Sequence, residues 1–335
     1  MLDERWSADV EEIGDALRKL LSAECTPAEV RKAEAAADGR DRSLEAELDA
    51  FGLAELEASP ELFARIALEL GRALAPTAHV DAMAAQALLG RGGIGCGFSG
   101  LVPAALGLVA VRHGDGLYVE KVRGEPRRTA AGDFLVEHRT DGGGERVGDL
   151  ALADRVERFD RLVQAARMVG ASQALLTYGA AYAGEREQFG KPIGSYQGVA
   201  HRLSRAAGEV DAAELLVRKT AFVAAPENGG EGAPSEAFAI MVLSKAIEAA
   251  RFAATNVHQV FGGNGFAMEY DVQLYSRRLR SWAMRGPRAG EQLARLGRMV
   301  LDPAQRDRLR LLWQYEEGIK LPRWAAEADA RKPTA

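Results

Sequence analysis

Tyr182-Ala183-Gly184-Glu185-Arg186-Glu187-Gln188-Phe189-Gly190-Lys191-Pro192-Ile193, continuing to Tyr196-Gln197, decides how the chain is read. A helix ending in Arg-x-x-Phe-Gly sets a fixed, planar cation at a turn. Guanidinium grips a diphosphate bidentately, which ammonium does less well. Taken alone, Arg186 is equally well a solvated charge at a helix end, and Lys191 reads as surface. A second stretch has the same density of signal: His258-Gln259-Val260-Phe261-Gly262-Gly263-Asn264-Gly265-Phe266, followed by Glu269-Tyr270 and Leu274-Tyr275. A Gly-Gly-x-Gly turn after a helix bares backbone N–H groups and lets a dinucleotide approach the main chain. Alone it reads as a helix C-cap. It is not the glycine fingerprint of a doubly wound sheet, which needs a strand before it.

Around these motifs the chain reads as helices. Asp160 to Glu187 lacks proline and is rich in alanine, which predicts one helix of about 40 Å. Val199, Leu203, Ala206, Val210, Ala213 and Val217 recur by four and three on a second helix. A loop from Pro226 to Pro234 precedes a third, whose stripe is Phe238, Met241, Val242, Ala249, Phe252 and Ala253. Asp271 to Ala283 is a fourth, and Pro287 can start a fifth. Short linkers imply antiparallel neighbours, hence a bundle.

The first 90 residues also read as helical. Ser59-Pro60-Glu61 is a strong start, with Leu62, Ile66 and Leu70 repeating every four residues and Gly71 weakening the end. Val80 to Leu89 is a further helix. Between 91 and 150 glycine is frequent and the period falls towards two. Val109 and Val111 flank His113-Gly114-Asp115-Gly116 with Leu117, Val119 and Lys121, which predicts a hairpin. Asp133 to Arg139 is another strand, and four or five short strands are expected in all. The fold class is therefore mainly α. A helical domain spans 1–90, a reduced β region 91–150, a bundle 151–325 and a tail 326–335.

Composition narrows the function. The 335 residues carry 43 basic and 48 acidic side chains, a formal charge of −5, which disfavours a phosphate-backbone binder and implies no nucleic-acid partner. No apolar run of about 18 residues is present, so no membrane span is expected. No leader is visible at the start, and two distant cysteines suit a reducing cytosol, so a cytoplasmic location is expected. The five histidines lack ligand spacing, so no metal site is expected.

The two motifs together resemble the signature of the acyl-CoA dehydrogenase family. The resemblance runs from about Phe159 to Leu301, and in helix order only from Ser7 to Leu89. It implies FAD as cofactor, held by Arg186, Gln188, Phe189, Gln197, Gln259, Gly262 and Gly263 at its adenosine and diphosphate half, across a subunit interface. It implies an acyl-CoA thioester as substrate and an electron-transfer flavoprotein as electron acceptor.

The chemistry needs a base for the α-proton, and a carboxylate suits it when burial raises its pKa. Of the two positions the family uses, the commoner falls here on Arg285, which cannot act as a base, and Pro287 stands where a threonine usually follows. The other falls on Asp160, one methylene shorter than glutamate, followed by Arg161. Asp160 is thus either the base or a solvated carboxylate favoured by the positive end of its helix. No basic residue lies three or four positions away to pair with it. Arg161 and Arg285 are expected to contact substrate.

The region 91–150 is shorter than the family's β-domain and lacks its flavin-ring loop; Gly97-Phe98-Ser99-Gly100 and Gly142-Gly143-Gly144 are not read as equivalents. The chain thus resembles the shortened subunits that pair with a fuller partner in α2β2 heterotetramers, many acting on branched or steroid side-chain thioesters. A homo-oligomer is the other arrangement. Competing readings are a non-catalytic partner that supplies half of the FAD site, a flavin-dependent monooxygenase or oxidase on the same scaffold, and an interaction module without flavin.

Overall fold

In the computed structural model, residues 5–36, 38–53 and 55–302 are described. The chain opens with α1 (Ala8–Glu24), α2 (Pro27–Ala35) and α3 (Arg42–Ala50). Thr26 and Asp41 cap α2 and α3, and both side chains accept backbone N–H bonds. Next come α4 (Pro60–Arg72) and α5 (His79–Leu89). Ser59 caps α4 as its sequence predicts, accepting from Leu62 N at 3.1 Å. α4 ends at Arg72, one residue past Gly71, where the end was expected, and Gly71 also serves packing. A Cβ there would stand 2.0 Å from the carbonyl oxygen of Arg167.

Seven strands follow, more than the four or five expected: β1 (Ile94–Cys96), β2 (Leu101–Pro103), β3 (Leu108–His113), β4 (Gly116–Lys121), β5 (Arg127–Arg128), β6 (Phe134–Glu137) and β7 (Glu145–Asp149). Several span only two or three residues, too few for a periodic signal. They form two sheets, β1-β3-β4-β7 and β2-β6-β5. The expected hairpin is β3–β4, with His113 opposite Gly116. β1 runs parallel to β3, the other pairs are antiparallel.

The long helix α6 spans Leu150–Glu185, 36 residues, or about 54 Å. It begins at the boundary expected for the bundle, about 151, and ten residues before Asp160, where the long proline-free stretch was read to start. Asp149 is its cap, accepting from Leu152 N at 2.9 Å, and nothing between 150 and 160 breaks a helix. A short hairpin, β8 (Glu187–Gln188) with β9 (Lys191–Pro192), leads into α7 (Gln197–Ala224), α8 (Glu236–Phe261), α9 (Val272–Trp282) and α10 (Ala289–Leu301). The expected end of the bundle at 325 and the tail lie outside the described residues. Among the described residues no helix is long and apolar enough to cross a membrane.

The apolar stripes are buried in part, with Val199, Leu203, Met241 and Phe252 only half-covered. Ala206, Val210, Ala213 and Val217 of α7 are fully buried, as are Phe238, Val242, Ala249 and Ala253 of α8. α6 is the central rod, packing against α4, α5, α7, α8 and α9. Gly170 lets α4 come close, since a Cβ there would lie 1.8 Å from Leu68 O. α2 is latched to α9 by charge. Glu34 receives Arg277 at 3.0 Å and Arg278 at 2.7 Å.

Candidate active site

α6 carries a chemically distinct group towards each of its ends. In its third turn Asp160 faces a cavity of about 420 Å³, closed by α5, β1, the loop after β1, and the segment from Trp282 to Pro287. Asp160, Arg161 and Arg285 all line it, so these three expected site residues converge. Phe98 and Ser99 line it too, although their sequence suggested no role.

Asp160 is half-buried. Gln164, one turn on, donates its Nε2 at 3.2 Å to Asp160 Oδ1 and lies 3.2 Å from Asp81 Oδ1 on α5. Burial is the main force pushing the Asp160 carboxyl up to about 7, and the charges of Asp81 and Glu157 add to it. The Gln164 hydrogen bond and the Arg167 charge act the other way. The reading of Asp160 as a solvated carboxylate at a helix start is thereby corrected. It stands ten residues in, beyond the first turn where the helix dipole acts, and it is half-buried at the cavity wall. A carboxyl that titrates near neutrality is suited to proton transfer at working pH.

The surrounding cations are engaged. Arg161 is 8% exposed. It donates to Glu157 at 2.6 Å and to Gln292 at 3.3 Å. Arg285 pairs with Asp133 in the loop before β6. Arg167 is buried, donates Nη1 to Asp81 at 3.1 Å, and lies over the Trp282 ring with its guanidinium carbon 4.4 Å from the centroid. Cys96, on the cavity wall, has its thiol pushed well up by burial, so it is a poor nucleophile. Asp81, Gln164, Arg167 and Trp282 were not anticipated. Gln164 and Arg167 had a signal, four and seven residues after Asp160 on one helix face. Asp81 had none, since only the fold brings α5 alongside.

The far end of α6 holds the other expected set. Tyr182 stacks on Phe261 with ring centroids 4.0 Å apart, and Asn264 donates to the Tyr182 hydroxyl at 2.9 Å. The C-terminal ends of α6 and α8 are thus fixed side by side. Arg186, Gln188, Gln197, Gln259, Gly262 and Gly263 are all exposed there. Gly262 has φ +56, and a Cβ on either glycine would meet nothing within 4 Å. The turn caps α8, because the Gly262 N–H bonds to Gln259 O, and it also leaves open space over its backbone. In the β8–β9 hairpin Phe189 and Gly190 both have positive φ, +55 and +82, as a tight hairpin turn demands. The Tyr196 hydroxyl donates to Gln188 O at 3.1 Å and holds this turn. The Phe189 ring is 94% exposed. Lys191 lies over the Tyr196 ring at 4.3 Å. The exposed guanidinium and the uncovered Gly-Gly backbone fit a diphosphate. Asp160 and Arg186 are 26 residues apart on one helix, about 39 Å, which is too far for one FAD to touch both.

Residues 155–286 match the family model for the acyl-CoA dehydrogenase C-terminal domain. That segment, less than half of the chain, is similar to the C-terminal domain of the acyl-CoA dehydrogenase family. The chain is similar to acyl-CoA dehydrogenase FadE34 of Mycobacterium tuberculosis, 37% identical over 135 residues, 40% of this chain and 17% of that one. It is also similar to acyl-CoA dehydrogenase IpdE2 of Mycolicibacterium smegmatis, 35% identical over 149 residues, 44% of this chain and 43% of the relative. The matched segment spans less than half the length of either. Among solved structures, a Tcur3481–Tcur3483 steroid acyl-CoA dehydrogenase variant aligns with TM-score 0.80 at 20% identity, covering 90% of this chain and 99% of that one. The ChsE4–ChsE5 complex from Mycobacterium tuberculosis aligns with TM-score 0.75 at 21% identity, covering 90% and 99%. At these identities they show the fold, mainly α, which is the class expected from the sequence.

Proposed function

We propose that this chain belongs to the acyl-CoA dehydrogenase family and is a subunit of an FAD-dependent enzyme that desaturates an acyl-CoA thioester between Cα and Cβ, with Asp160 as the base. The observation that carries this reading is the Asp160 carboxyl itself, which lines a cavity of about 420 Å³ and is pushed by burial to about 7. In its ionised form it takes the α-proton and becomes neutral, which its withdrawn surroundings favour. FAD, when bound, supplies the two-electron acceptor for the hydride that leaves Cβ. Arg161 and Arg285 shape the cavity around the acyl group, each oriented by its carboxylate partner. Gln188, Phe189, Gln197, Gln259, Gly262 and Gly263 would hold the adenosine end of the cofactor, and Arg186 its diphosphate.

The separation of Asp160 from Arg186 supports assembly. Arg186 and the Gly262-Gly263 turn of one copy would hold the diphosphate of an FAD that serves another subunit's cavity. A fuller partner in an α2β2 complex suits the shortened β region. A branched or steroid side-chain thioester as substrate, an electron-transfer flavoprotein as acceptor and a cytosolic setting complete the reading. The division at 90 and 150 belongs to it as well.

The test is Asp160→Asn in the assembled protein, with flavin content and desaturation measured together. Flavin retained and desaturation lowered at least 100-fold is expected. Undiminished desaturation removes Asp160 from the mechanism. Flavin stoichiometry separates the assemblies: one FAD per heterodimer fits the shared site, and one per chain contradicts it.

A further inference from the structure

A second cavity, of about 380 Å³, opens between α3, α4, α5 and the chain at 92–93 and 105–106. Helix α5 presents a different face to each cavity. His79, Ala82, Met83 and Gln86, at i, i+3, i+4 and i+7, line this one. Asp81 turns instead towards Gln164 and Arg167 of α6. The floor is apolar. Leu53, Phe63, Ile66, Ala82, Met83 and Leu106 form it, and each is at most 7% exposed. Such a size and lining fall within the range of small-molecule sites, about 300–1,000 Å³.

The polar groups sit to one side and select the head group. Arg40 donates to Glu45 at 2.7 and 2.5 Å, and Gln86 Nε2 donates to Leu53 O at 3.1 Å. His79 is less well served. Its Nε2 stands 3.8 Å from Asp49 Oδ1, beyond hydrogen-bond reach. Burial pulls its imidazole below the ordinary value, against the pull of Asp49, so the ring is neutral at pH 7. Arg40, Glu45 and Asp49 then leave one negative charge over, which disfavours a carboxylate head. An ammonium head would have only Asp49, whose side chain is 72% exposed, to offset its lost hydration, and an exposed pair is worth little. A hydroxyl fits: at 3.8 Å, the nitrogen and the oxygen can both be reached by one oxygen at about 2.8 Å from each.

This cavity is not an extension of the Asp160 cavity. A smaller one of about 60 Å³ lies between them, sharing Arg40, Ala78 and Ala105 with the first and Asp81, Trp282 and Arg285 with the second. Its walls carry Asp38, Asp81, Asp133, Arg167, Arg278 and Arg285. An apolar chain crossing it would strip these groups of water without replacing it.

We propose that the cavity behind α5 is a binding site for an uncharged amphiphile, an apolar body ending in a hydroxyl, separate from the acyl site. The body lies on Leu53, Phe63, Ile66 and Met83. The hydroxyl donates to Asp49 and accepts from the His79 imidazole N–H. The site does not depend on the desaturation reading.

The experiment titrates the full chain, in the assembly it forms, with 1-octanol and with octanoate, which is ionised at pH 7.5. Calorimetry and saturation transfer to the ligand protons read the binding. 1-Octanol is expected to bind at least tenfold tighter than octanoate. Ala82→Leu fills the cavity from the floor and Ala105→Leu from the half-buried rim, and neither residue lines the Asp160 cavity. Each is expected to weaken 1-octanol at least tenfold, and the rim variant carries the test if the floor variant fails to fold. His79→Phe keeps a ring, loses the polar edge, and is expected to weaken 1-octanol at least threefold. Failure of 1-octanol to bind, or undiminished binding to the folded filled variants, overturns the site. Octanoate that binds as tightly overturns the uncharged class, and an unmoved affinity in His79→Phe overturns the place of the hydroxyl.

Discussion

Asp81 and Asp160 share one amide: Gln164 Nε2 lies 3.2 Å from an oxygen of each. That group is therefore the lever on the proton affinity of the proposed base. Its hydrogen bond favours the ionised carboxylate, while the Asp81 charge opposes it. Gln164→Leu removes the favourable part and keeps the repulsion. Desaturation that depends on ionised Asp160 rises with pH through about 7 in the native protein. In the variant this limb is expected to move up by about one unit. The initial rate measured from pH 5.5 to 9 checks it, and an unmoved limb separates Gln164 from the titration.

Stability carries the same signature with a definite sign. The Asp160 carboxyl has its folded pKa raised from 3.8 to about 7. A raised acid opposes folding once the unfolded chain ionises. The cost is absent below about pH 4, grows up to about pH 7, and is constant above. Asp160→Asn removes it. Urea unfolding should show the variant near the native stability at pH 4 and more stable at pH 8, on the order of 2–4 kcal/mol. A constant difference across this range contradicts the assigned shift.

Two glycines of one helix separate packing from propensity. At Gly170 a Cβ would stand 1.8 Å from Leu68 O, whereas at Gly184 it would meet nothing within 4 Å. Gly170→Ala must therefore push α4 from α6, and is expected to cost about 3 kcal/mol or more. Gly184→Ala gains helix propensity and is expected to stabilise by about 0.5–1 kcal/mol. Thermal and denaturant unfolding of both variants checks the pair.

Arg186 is exposed at the end of α6, so its loss should leave the fold alone. Arg186→Ala is expected to change the stability of the flavin-free chain by less than about 0.5 kcal/mol. Flavin affinity is expected to fall at least tenfold, the scale of a lost charge-assisted hydrogen bond of about 1.5–3 kcal/mol. Flavin retained as tightly as in the native protein contradicts the assigned role.

The bundle was legible because its spacing is strong. Ala206, Val210, Ala213 and Val217 recur at helical intervals and are all buried. That one helix runs unbroken from 150 through Asp160 was not read, because Asp149, its cap, sits at the end of a strand where no apolar period announces it. The short strands escaped for a related reason, since β5 has two residues and no pattern. Within the site, Asp160, Arg161 and Arg285 could be named from the chain, and they share one cavity. Asp81 could not, because its approach to Gln164 depends on α5 packing beside α6, a long-range relation that a local pattern does not encode. Trp282 was hidden likewise, ordinary until stacked on Arg167, whose spacing from Asp160 was its only signal.

The length of α6 has one more effect. Asp160 and Arg186 stand about 39 Å apart on a single rigid rod. On the proposed reading, the two ends of each copy serve different catalytic units. A copy damaged at one end is still whole at the other. Inactive chains carrying Asp160→Asn and inactive chains carrying Arg186→Ala, mixed during assembly, would then rescue one another and recover part of the turnover that neither has alone.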